Sequence, residues 1–393
     1  MILFSQQKQP KVGLVLSGGG AKGFAHIGVL KEIERAGIQI DYIGGTSMGA
    51  IVGGLYAAGY SASQIEDIIL ETDFYALLQD KVPRSTKTLF EKRNGEKHAL
   101  VLPVNKGRIG LPQGVSKGQN VLNFLTYLLS PVDSITDFSK LPIPFFCVGT
   151  DVETGKEVSL EKGSLALALR ASGSFPTLLN PVEIDGKMII DGGVANNFPA
   201  DIMRKKGLDI IIGADVQGRL LKKENIVSAI DVLNQIVSYQ MYKNSDEHAK
   251  TVDVYVKPDV TQYSVVSFEN TQDILEKGTI AAKKHSLVFD SISALQPYKK
   301  NIRHILRTNK KFHLKKIEIN GKEAYTRAYI LGALKISVGD SINAKEISNK
   351  IGYLSSSNNF ERIDFLLEKY DGGKKLVLNV KEKVQKASIK LGI

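Results

Sequence analysis

Three short stretches of this chain carry residue types that together can attack and cleave an acyl bond. Gly45-Thr-Ser-Met-Gly49 fits the pattern G-x-S-x-G. Between a strand and a helix, that pattern builds a tight turn that exposes the serine hydroxyl, and the helix points its N-terminal amides at developing negative charge. Ser47 is thus a candidate nucleophile, with Met48 contributing an amide and Gly45 and Gly49 letting the chain pass closely. Gly18-Gly-Gly-Ala-Lys-Gly23 offers amides unhindered by side chains at Gly18, Gly19 and Gly20, suited to an oxyanion. Asp191-Gly-Gly193 puts a carboxylate between an alternating hairpin and two glycines, Gly192 and Gly193, so Asp191 is a candidate general base.

Each stretch also has a plainer reading. Ser47 would make a good helix N-cap, and Asp191 a good turn residue. Gly18–Gly23 also satisfies G-x-G-x-x-G, the dinucleotide-binding loop, but that reading wants an acidic residue ending the second strand. Asp41 lies within that strand, and its end is Gly44-Gly45-Thr46-Ser47. A serine with a histidine base is a further alternative. Of the six histidines, His248 and His285 come after the acidic candidate, as hydrolase order requires, but both sit on polar, charged helical stretches.

The elements around these stretches place them at strand ends. Lys11–Ser17 reads as a buried strand running into the glycine loop. Phe24–Ala36 has apolar residues at helical spacing and ends at Gly37. Ile38–Gly44 reads as the second strand, and Ser47–Ala58 as a helix filled with small residues. Ile143–Thr150 and Leu208–Ala214 are further buried strands, and Ile226–Tyr242 a helix. Val182–Ile190 reads as a hairpin turning at Asp185-Gly186. Alternation of this kind means an α/β fold with a mostly parallel central sheet.

From about residue 311 the order changes to strand, helix, helix, strand, strand: a small α+β module. The expected division is 10–296, a linker 297–310, the module 311–383, and 384–393 as the start of a further strand. Charge supports a break there. Residues 299–393 hold 21 basic and 9 acidic side chains, whereas 1–298 hold 31 and 32. Phe74–Leu78 with the following cations, inside 72–90, and the glycine-rich 107–118 are candidate lids.

Composition removes several classes. One cysteine, Cys147, allows neither an internal disulfide nor a cysteine zinc site. No apolar run approaches the roughly 18 residues of a membrane helix. Basic residues in the last quarter are interspersed and match no nucleic-acid motif, so the expected partner is an anionic lipid surface and not a nucleic acid. No metal or other cofactor is called for by a serine–carboxylate scheme.

The three glycine-rich signatures, in this order, resemble those of patatin-like phospholipases. Thr150-Asp-Val-Glu-Thr-Gly155, Arg170-Ala-Ser-Gly-Ser-Phe-Pro176 and Asp191–Pro199 resemble that family as well. The resemblance implies a patatin-like three-layer α/β sandwich in which Ser47 and Asp191 form a histidine-free dyad. Gly18, Gly19 and Gly20, with the amide of Met48, would form the oxyanion hole, and Lys22 and Gly23 would support the loop. It implies a phospholipase A acting on phospholipid membranes or lipid aggregates, with homo-oligomerisation left open. Ser17 and Lys22 depart from the Asp and Arg that many members carry; both are expected on the loop rim, where Lys22 keeps charge but loses the planar fork. The 311–383 module resembles a POTRA domain. With the strand that follows, it resembles bacterial patatin-like autotransporters, implying an outer-membrane, cell-surface or secreted location; a cytoplasmic one is the alternative. A non-catalytic binding or secretion module is the competing class.

Overall fold

Val12–Leu16 (β1) is five consecutive buried residues, the signature of a strand covered on both faces. In the computed structural model it lies mid-sheet. The structure describes residues 9–80, 98–105, 108–109, 114–218, 220, 222–226, 232, 235–236, 238–239, 245–298, 310–321, 324–357, 359–383 and 388–392. Residues 299–309 of the expected linker 297–310, most of 226–242, residues 81–90 of the lid candidate 72–90, and residues 107 and 110–113 of the lid candidate 107–118 lie outside these residues.

Two compact units divide the chain. The first comprises Met1–Thr72, Ile135–Ser174 and Val182–Ile305. Its sheet holds β1, β2 (Tyr42–Thr46), β3 (Phe145–Asp151), β4 (Glu157–Leu160), β5 (Val182–Ile184), β6 (Lys187–Asp191), β7 (Ile210–Ala214) and β8 (Val254–Val256). The order is β8-β7-β1-β2-β3-β6-β5, with β4 also on β3. The run β8 to β3 is parallel throughout; β4, β5 and β6 are antiparallel to their neighbours. The sheet is therefore mixed, with a parallel majority.

The second strand begins later than the reading Ile38–Gly44. Ile38 and Ile40 are buried, but Gln39 exchanges backbone bonds with the Gln296 side chain and so stays out of the ladder. The hairpin turns at Asp185-Gly186 as expected, with φ of 50° and 75° as a two-residue turn demands.

One register detail sets the site. β4 occupies one edge of β3, so β2 and β6 share the other edge end to end. Thr46 pairs with Val148, and Asp191 pairs with Gly149, the next residue. Two strands running in opposite directions thus finish against each other.

The second unit comprises Asp73–Ser134, Phe175–Pro181 and Leu306–Ile393. Its C-terminal part has the order read from the sequence: Phe312–Asn320, helices Arg327–Leu334 and Ala344–Ser356, then Phe360–Tyr370 and Gly373–Glu382. Phe312–Asn320 runs parallel to Gly373–Glu382, which is antiparallel to Phe360–Tyr370. Leu314, Ile330, Ile347, Ile351, Phe360 and Leu376 form its core. Helix Gln119–Leu129 belongs to this unit: the Gln119 side chain bonds both backbone groups of Ile363. Ser388–Gly392 pairs antiparallel with His98–Asn105. The compact units therefore cut the chain differently from boundaries at 296 and 311, because a helix and a strand from the middle of the chain complete the C-terminal unit.

Candidate active site

Ser47 stands between β2 and helix Met48–Ala58, at φ 53° and ψ −123°. Residues with a side chain rarely adopt that conformation, and holding it costs about 1–3 kcal/mol. The flanking glycines show why the motif takes this form. A Cβ on Gly45 would sit 2.7 Å from the Gly49 carbonyl, and one on Gly49 would sit 2.4 Å from the carbonyl oxygens of Leu16 and Ser17. Backbone packs on backbone, and neither position has space for a methyl group.

The Ser47 side chain caps nothing. Its Oγ instead donates to Asp191 Oδ2 at 2.6 Å, across 144 positions of sequence. Asp191 is 1% exposed, and its other oxygen accepts the Gly193 amide at 2.8 Å. Burial drives its pKa up to about 6; the bonds from Ser47 and Gly193 only partly oppose that. At neutral pH the carboxyl is ionised and close enough to neutral pH in basicity to take a proton from a hydroxyl. No histidine lies between them. His248 Nδ1 bonds the Phe198 carbonyl, and His285 heads helix Ser286–Ala294 beside Phe289. His26 bonds the Ser17 carbonyl through Nε2, and complete burial pulls its pKa to about 4, so it stays neutral.

The polar frame of the pair is buried. Ser47 N donates to Ser172 Oγ, which donates in turn to the Val148 carbonyl. Asp191 N donates to the Ser174 carbonyl, and Thr150 Oγ1 to the Asp191 carbonyl. Gly192 passes so close to β3 that a Cβ there would meet Val148 O at 2.1 Å. A Cβ on Gly23 would lie 2.5 Å from the Met48 side chain.

The glycine loop and the residue before it differ from expectation at three residues, Gly18, Lys22 and Ser17. Gly18 N donates to the Asn197 carbonyl at 3.1 Å, so that amide is already committed. The Asn197 side chain also donates to Gly18 O, clamping the residue from both sides, and a Cβ on Gly18 would lie 3.1 Å from that of Ser47. Gly19 and Gly20, both partly exposed, make no intramolecular amide bond among the described residues; Met48, at the helix start, is likewise open. The amides left open to an anion are therefore those of Gly19, Gly20 and Met48.

Lys22 lies inward, 8% exposed, and not on a rim. Burial, with the Lys257 charge adding to it, lowers its pKa to about 8, while Asp215 opposes the shift. Ser17 is also interior, accepting the Val216 amide through Oγ and tying the loop to the end of β7. Asn197 and Ser172 escaped the sequence reading as site residues. The available signal was a polar residue amid small buried ones, in stretches already tied to the same family pattern.

Among the described residues, no group of three or more His, Cys, Asp or Glu is placed to hold a metal ion, and no helix is long and apolar enough to cross a membrane.

Residues 14–204 match the family model described as patatin-like phospholipase. An uncharacterized NTE family protein of Mycobacterium tuberculosis is 31% identical over 209 residues, covering 53% of this chain and 50% of that protein. Lysophospholipase nte1 of Emericella nidulans is 30% identical over 302 residues, covering 70% of this chain and 18% of that protein. The chain spans half or less of the length of these curated relatives. A solved structure, human GIVD cytosolic phospholipase A2 in complex with methyl γ-linolenyl fluorophosphonate, is similar with a TM-score of 0.40 at 12% identity, covering 73% of this chain and 59% of that one. With Ser47, Asp191 and the glycine loop all inside the matched residues, the stretch 14–204 is a patatin-like phospholipase domain.

Proposed function

We propose that the chain is a lipid acyl hydrolase of the phospholipase A type, cleaving phospholipid esters through Ser47 and Asp191. The observation that carries this reading is the 2.6 Å bond from Ser47 Oγ to Asp191 Oδ2, in a serine that caps no helix. Asp191 takes the Ser47 proton as Oγ attacks the ester carbonyl carbon. The carbonyl oxygen becomes an oxyanion received by the amides of Gly19, Gly20 and Met48, each donor of this kind being worth about 10²–10³ in rate. The intermediate collapses, the C–O bond to the alcohol breaks, and the alcohol leaves with the proton from Asp191. Water, deprotonated by Asp191, then releases the fatty acid and restores Ser47.

Two features favour a carboxylate base over a histidine relay: both Asp191 oxygens are engaged, by Ser47 and by Gly193, and His248 is held on Phe198. Phospholipid as the ester is supported by the matched family and by a relative named lysophospholipase. The POTRA-like reading of 311–383 belongs to the same proposal, supported by its element order.

The deciding experiment follows fatty-acid release from phospholipids labelled separately at each acyl chain. Ser47→Ala is expected to fold and to lose about 10⁴–10⁶ in kcat. A folded Ser47→Ala protein that releases fatty acid at the wild-type rate would end the proposal.

A further inference from the structure

We propose that Ser172 is the positioning residue of the Ser47–Asp191 pair, its hydroxyl holding the serine in the turn that brings Oγ onto the carboxylate. This rests on the hydrolase reading above and adds the residue that sets its geometry.

Ser172 is the last residue of helix Leu165–Ser172 and is fully buried. Its Oγ accepts the Ser47 N–H at 3.0 Å and donates to the Val148 carbonyl at 2.6 Å. Val148 is the register partner of Thr46, so the anchor is β3, the strand beside the one that ends just before Ser47. Two residues further on, the Ser174 carbonyl accepts the Asp191 N–H at 3.0 Å. A single stretch, 172–174, therefore grips the backbone nitrogens of two residues 144 positions apart. Ser174 is held in turn: its Oγ accepts from the buried Arg170 guanidinium and donates to the Arg170 carbonyl.

The elbow needs such a grip. Ser47 precedes the first helical residue, so its amide has no intrahelical acceptor, and its side chain makes no capping bond. An Ala at 172 keeps the packing but leaves that amide without an acceptor. The turn is then free to relax toward common backbone angles, carrying Oγ away from Asp191. A displacement near 1 Å is enough to cost about 10²-fold in rate.

The test compares wild type, Ser172→Ala and Ser172→Thr in phospholipid hydrolysis, with folding checked by thermal melting. Ser172→Ala should lose about 10–100-fold in kcat with KM unchanged, and Ser172→Thr, which keeps the hydroxyl, should recover most of it. The acid limb of kcat should also move to higher pH in Ser172→Ala, because the Ser47 bond is one of the two that hold the Asp191 pKa down. Packing alone would not move that limb. A folded Ser172→Ala enzyme with wild-type kcat, or one that loses kcat with the limb unmoved, overturns the inference. Should the Ala variant not fold, Thr and Cys at 172 put the same question, since sulfur accepts hydrogen bonds weakly; equal kcat in those two overturns it. Failure of the hydrolase reading would show separately, as a wild type that hydrolyses no ester.

Discussion

Around Ser47 and in the 312–382 segment, opposite packing rules operate. In the C-terminal segment, large side chains fill the interior: Phe360, Phe365, Leu376 and Ile351 are each at most 2% exposed. Around Ser47, backbone meets backbone, Gly45 on Gly49, Gly49 on Leu16 and Ser17, Gly192 on Val148. The first kind of interior is graded, losing stability roughly with the volume removed. The second has no slack, and it keeps a strained serine and a buried carboxylate in contact. One region is built for stability; the other holds an arrangement that costs stability.

Asp191→Asn tests that contrast most sharply. It should lower kcat about 10³–10⁴-fold, since an amide cannot accept the proton. It should also stabilise the fold at pH 8. Burial raises the folded-state pKa from 3.8 to about 6, so the stability this group contributes is complete below about pH 4 and lost as pH rises through 6. Removing the charge recovers about 1–3 kcal/mol at pH 8 and nothing at pH 4. A variant less stable than wild type at pH 8 would mean that the carboxylate is a structural asset, and the contrast would fail.

Phe360→Ala probes the other region. A fully buried phenylalanine should cost about 3–5 kcal/mol, read as a lower denaturation midpoint, while kcat per folded molecule stays at the wild-type value. A matching fall in kcat would show that the two interiors are not independent.

The smallest effect is the pH profile. The proposed mechanism requires ionised Asp191, so kcat/KM should fall about tenfold per pH unit below about 6 and level off above it. A profile flat from pH 5 to 8 would remove Asp191 from the base role.

Much of the site was legible because its residues are dictated locally. A G-x-S-x-G turn after a buried strand leaves few alternatives, and the turn at Asp185-Gly186 announces where Asp191 arrives. The C-terminal element order was legible for a similar reason: the alternation in 312–319 and 360–369 and the helical spacing between them are local patterns. Apolar content misled at Ile38 and Ile40, which bury their side chains from a loop pinned by Gln296.

Residue types and their spacing determined which groups could act: a serine at a strand end, a carboxylate beside two glycines, and a loop rich in open amides. Tertiary structure alone decided which of them do what. Gly18's amide goes to Asn197, 179 positions away, Lys22 turns inward beside Lys257 and Asp215, and Ser172 reaches Ser47 from another helix. The reason is range. Turn and strand preferences act over a few residues, whereas hydrogen-bond partners and burial depend on strand order, and here that order sets β2 and β6 end to end on one edge of β3.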